Sequence, residues 1–62
     1  MKHYINASKV IRIEAQNGTQ EHQPRVIIDL EGDSFAVVKF ESWQQANDFA
    51  ERLGMKLNLL EI

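Results

Sequence analysis

The stretch RVIIDLEGDSFAVVKF, Arg25 to Phe40, constrains the fold more than any other, because two runs rich in β-branched and aromatic residues flank the pair Gly32-Asp33. Such runs favour strands, and a glycine-containing pair between them predicts a hairpin closed by a two-residue turn. That turn sets Leu30 opposite Phe35, Ile28 opposite Val37 and Val26 opposite Lys39 on one face. The other face then carries Ile27 opposite Val38, Asp29 opposite Ala36 and Arg25 opposite Phe40. One face is strongly apolar and the other mixed, so each calls for a cover.

The clearest helix signal follows in SWQQANDFAERLG. Ser42 with Gln45 three residues later is a capping-box pattern, in which two side chains satisfy amide groups left free at a helix start. Trp43, Ala46, Phe49, Ala50 and Leu53 recur at helical spacing, and Gly54 suits a left-handed C-terminal cap. The spacing predicts a helix from Trp43 to Leu53 whose apolar stripe covers Val26, Ile28, Leu30, Phe35 and Val37.

Upstream, YINASKVIRIEAQ contains Ile11, Ile13 and Ala15 in alternation with Arg12 and Glu14, the pattern of a strand with one apolar face. Asn6, Ala7 and Ser8 form a bend before it. The polar run NGTQEHQP, residues 17–24, is a loop that opens on Asn17-Gly18 and closes at the sole proline. After the helix, MKLNLLEI alternates Met55, Leu57 and Leu59 with Lys56 and Asn58 and predicts a final buried strand. The fold class is therefore α+β: an antiparallel sheet of three to four strands, with one helix across one face, in the order β-β-β-α-β.

A chain of 62 residues is a single small domain, and with no cysteine it can use neither a disulfide nor a thiolate zinc site to supplement its core. No leader or membrane-spanning run of about 18 apolar residues is visible, so a cytoplasmic location is expected. The formal charge is −2, and the seven Lys and Arg residues are scattered along the chain rather than concentrated as nucleic-acid backbone binding requires.

Residues able to carry chemistry are few. His3 and His22 lack a second ligand at metal-site spacing. Asp29, Glu31 and Asp33 alternate as carboxylates can around a hard cation, without the glycine and distal glutamate of a calcium loop. Ser8, Ser34 and Ser42 have no nearby histidine base, and Gly18, Gly32 and Gly54 all fall at turns or a cap, leaving none for a phosphate cradle. Trp43 and Tyr4 could stack on a base, although the tryptophan fits the helix stripe. No catalytic residue, metal or cofactor is expected.

The run YINASKVIRIEA, followed by RVIIDLEGDSFAVVKFES and a helix, resembles the flagellar FlbD-like proteins, in which an Asn-containing lead-in, an I-x-x-I strand, a glycine hairpin and a terminal helix recur. The resemblance implies a small bacterial or phage-type β-rich protein, assigns no site residue, and does not extend to the segment after Gly54.

One helix cannot cover both faces of the sheet. The expectation is a small non-enzymatic binding or regulatory protein that forms a homo-oligomer, a homodimer in the simplest case, or docks on another protein. Its interface would comprise Ile27, Val38, Phe40, Leu60 and Ile62, rimmed by Arg25 and Asp29. Two alternatives are a nucleic-acid-associated regulator acting through Arg12, Arg25, Lys39 and Lys56, and a small-ligand sensor formed at a dimer interface near His22.

Overall fold

The computed structural model describes residues 7–59 of the chain. A 3-10 turn at Ala7–Lys9 leads into β1 (Val10–Gln16), followed by β2 (Arg25–Leu30), β3 (Ser34–Lys39) and α1 (Trp43–Lys56). The strands form one antiparallel sheet in the order β1-β2-β3, so the class is α+β, with β2 central. The helix lies over β1 and β2. Val26, Ile28 and Ala46 are buried at its contact with the sheet, ringed by half-buried Ile13, Leu30, Val38, Phe49 and Leu53. Alanine at position 46, with no exposed surface, lets the helix backbone approach β2 closely.

The hairpin register differs by one residue from the sequence expectation. Leu30 pairs with Ser34, leaving Glu31, Gly32 and Asp33 as a three-residue connection in which Gly32 (φ 80°) and Asp33 (φ 59°) are both left-handed. Val26 then pairs with Val38, Ile28 with Ala36, Ile27 with Val37 and Asp29 with Phe35. Because side chains alternate along a strand, a one-residue slip moves the whole of β3 to the opposite face. The physical reason lies in Lys39. A two-residue turn would set it opposite fully buried Val26, against the core on the helix side of the sheet, where burying an ammonium group costs several kcal/mol. The observed register sends Lys39 out, pairs it with Arg25, and brings Val38 into the core.

The helix begins as expected and ends later. Gln45 N–H donates to Ser42 Oγ at 3.2 Å, and Ser42 N–H donates to Gln45 Oε1 at 3.3 Å, completing the capping box. Gly54 is not the cap: the helix runs on through Met55 and Lys56, and the left-handed residue is Asn58 at φ 60°. Asn58 N–H donates to Met55 O at 3.2 Å and Leu59 N–H to Gly54 O at 2.9 Å, the pair of bonds that closes a Schellman motif. Asparagine tolerates this conformation better than most residues. A strand starting at Met55 is thus replaced by the last helical turn and its cap, and the rest of that strand, from Leu60, lies outside the described residues. Trp43, placed in the core stripe by its spacing, is 40% exposed and stands outside the core cluster.

The 17–24 loop is held by its own polar groups. Thr19 Oγ1 accepts from the N–H groups of Glu21 (3.0 Å) and His22 (3.3 Å), and Thr19 N–H donates to His22 O at 2.9 Å. No helix among the described residues is long and apolar enough to cross a membrane.

Candidate interaction surface

The face of the sheet opposite the helix is built from three cross-strand rows. The register aligns Gln16, Arg25 and Lys39 in one row, Glu14, Ile27 and Val37 in the next, and Arg12, Asp29 and Phe35 in the third. Toward β1 the surface is a polar lattice. Arg25 Nε donates to Gln16 Oε1 at 2.8 Å, Gln16 Nε2 donates to Glu14 Oε2 at 2.6 Å, and Arg12 Nε donates to Asp29 Oδ2 at 3.0 Å. Arg12 also lies 3.9 Å from Glu14. Toward β3 the surface is apolar: Phe35 is 64% exposed and Val37 39%, beside half-buried Ile27.

Of the residues expected at an interface, Arg25, Ile27 and Asp29 stand on this open face. Val38 and Phe40 do not. Val38 packs on the core, and Phe40 turns toward the helix, its ring centroid 5.2 Å from that of Phe49. Both reversals follow from the register: the residues that replace them outside are Phe35 and Val37, which the two-residue turn had placed under the helix. Leu60 and Ile62 lie outside the described residues. The signal that would have found Phe35 and Val37 is the parity of Lys39, since one charged residue that is costly to place against the core fixes the facing of the whole strand.

The polar residues with chemical potential are engaged in structure. Asp29 accepts from Arg12, Ser34 Oγ donates to Glu31 O at 3.2 Å, and His22 Nδ1 lies 2.8 Å from Gln23 O. Among the described residues no group of three or more His, Asp or Glu side chains converges as a metal site would require. Arg12, Arg25 and Lys39 share the open face with Glu14 and Asp29, while Lys56 stands in the last turn of the helix.

A second uncovered region runs along the outer edge of β1, where Ile11, Ile13 and Ala15 face Ala50, Gly54 and Met55 of the helix across an open groove. Ile11 is 61% exposed and Met55 73%. A bulge between Val10 and Arg12 places Ile11 on this side.

Comparison of the chain with protein-family models, curated proteins and solved structures finds no match.

Proposed function

We propose that this chain is a small non-enzymatic protein-binding module that docks a partner on the open face of its sheet. The observation that carries the reading is the exposed stripe of Phe35, Val37 and Ile27, an aromatic and two β-branched side chains, beside a lattice of mutually satisfied polar groups. An interface of this kind pairs a desolvated apolar centre containing an aromatic anchor with a polar rim, and aromatic residues carry a disproportionate share of binding energy. Arg12, Asp29 and Arg25 supply the rim.

The test compares proteins captured by the wild-type chain with those captured by Phe35→Asp, after circular dichroism has shown that the variant keeps its fold. Phe35 contributes little to the core, so the fold should survive and the specific partner should be lost. An identical captured set would overturn the reading.

One observation favours a second reading. Arg12, Arg25 and Lys39 converge on the same face as Phe35, an arrangement sheet-based nucleic-acid binders use, with basic groups on phosphates and an aromatic ring on a base. Asp29 and Glu14 offset two of those charges. Binding to random single-stranded and duplex DNA at low salt, weakened by Arg25→Gln and by added salt, would favour this reading over protein docking.

A further inference from the structure

The outer edge of β1 is self-complementary about Ile13, and we propose that it pairs with the same edge of a second copy across a two-fold axis, joining two three-stranded sheets into one of six strands. This proposal concerns a strand edge whose charged side chains border the open face, and its tests read self-association rather than capture of a partner.

The backbone determines which groups are available. Phe40 N–H donates to Pro24 O and Glu31 N–H to Lys9 O. With the two registers, these bonds show that even-numbered residues of β2 point their main-chain groups at β3 and odd-numbered ones at β1. In β1 it is therefore Arg12, Glu14 and Gln16 whose amides and carbonyls bond β2, while those of Ile13 and Ala15 point outward. Among the described residues no strand pairs with that edge.

Symmetry then limits the register. In an isologous antiparallel pair about an axis normal to the sheet, one residue faces its own copy, and its neighbours pair reciprocally. Centring the axis on Arg12 or Glu14 opposes like charges at the axis. Centring it on Ile13 places Arg12 opposite Glu14 of the second copy, twice. These fall at non-hydrogen-bonded positions, where opposed side chains are closest. Ile13, at the axis, exchanges its outward N–H and C=O with its own copy. The side-chain faces agree as well: the charged pairs lie on the open face, and Ile11, Ile13 and Ala15 lie on the groove face. There they extend the apolar cover over Met55 and bring Ala50 and Gly54 of each helix toward the junction. Those two small residues sit one turn apart and permit close approach of the helices.

The bulge at Ile11 shortens the usable edge, so the dimer should be weak and dissociate on dilution. Sedimentation or light scattering from micromolar to millimolar chain should show mass rising from 7.2 kDa toward twice that value. Glu14→Arg sets Arg against Arg at both symmetric positions and should weaken association by at least roughly tenfold. The exchange R12E/E14R restores opposite charges and should recover it. Because the chain has no cysteine, a second measurement locates the contact directly. R12C mixed with E14C should give a covalent heterodimer under mild oxidation, since Cα atoms about 4.5 Å apart at such positions lie within disulfide reach, and neither variant alone should cross-link comparably. A monomer at every concentration, an E14R variant that associates like wild type, or homodimers equal in yield to heterodimers would each overturn the proposal.

Discussion

Adjacent residues on β3 provide the sharpest test of the fold, because the hairpin register assigns them opposite environments. Val38 packs on the core cluster on the helix side of the sheet, paired with fully buried Val26, whereas Val37 lies on the open face at 39% exposure. Threonine replaces one valine methyl by a hydroxyl at nearly unchanged size, and both residues suit a strand, so strand preference cancels between the two variants. A hydroxyl buried without a partner costs about 1–3 kcal/mol. Since Val38 is half-buried, Val38→Thr should cost about 1–2 kcal/mol, while Val37→Thr should stay within about 0.5 kcal/mol. Against a total stability of roughly 3–9 kcal/mol for a domain of this length, that difference is readily measured. In urea, with a slope of about 1 kcal/mol per molar for a small domain, Val38→Thr should lower the unfolding midpoint by about 1–2 M and Val37→Thr by less than about 0.5 M. Equal costs, or a larger cost at Val37, would refute the register and with it the composition of the open face.

Two further substitutions test the helix ends. Gly54→Ala should stabilise the chain by about 0.5–1 kcal/mol, because Gly54 sits inside the helix and a Cβ there meets nothing within 4 Å; a Gly54→Ala chain that melts lower would mean that the residue is not helical. Ser42→Ala should cost about 1 kcal/mol by removing the acceptor for Gln45 N–H, and thermal unfolding showing no loss would count against the capping box.

The parts of the fold that the sequence made legible are those set by local chemistry. The Ser42 and Gln45 pair announces the helix start because both partners of the cap lie within one turn, and the alternation of Ile11, Ile13 and Ala15 announces β1 because one face is cleanly polar. The hairpin was legible as a hairpin but not in register, since Val26–Leu30 and Phe35–Phe40 carry apolar residues at both parities and either pairing looks acceptable from one strand alone. Register is decided by the core on the helix side of the sheet, which excludes Lys39 from one face. The helix end was obscured for a related reason: Gly54 is a good cap residue, and Asn58, four positions on, serves the same purpose while allowing another turn of packing. The consequence for the candidate site was a reversal of two residues for two, with Phe35 and Val37 in place of Val38 and Phe40.

That reversal changes how the two uncovered regions relate. With Phe35 and Val37 outside, the apolar part of the open face lies on β3 and the adjoining side of β2, and the polar lattice anchored by Arg12 and Asp29 lies toward β1. The edge proposed to pair with a second copy is thus the polar side of that face, where Arg12 and Glu14 are solvated and already oriented by neighbours. Pairing there leaves Phe35 of each copy at the far margins of a six-stranded sheet, separated by the combined lattice. Two docking stripes related by a two-fold axis would engage a symmetric partner at both stripes at once, and linked binding of that kind raises apparent affinity without new contacts at either stripe. Dissociation of the edge by Glu14→Arg would therefore weaken capture of a symmetric partner while keeping the apolar side chains of Phe35, Val37 and Ile27 in place, whereas Phe35→Asp would abolish capture and leave the dimer unchanged. Were Phe35 itself at the junction between copies, Phe35→Asp would dissociate the dimer and Glu14→Arg, on the opposite edge strand, would leave it associated.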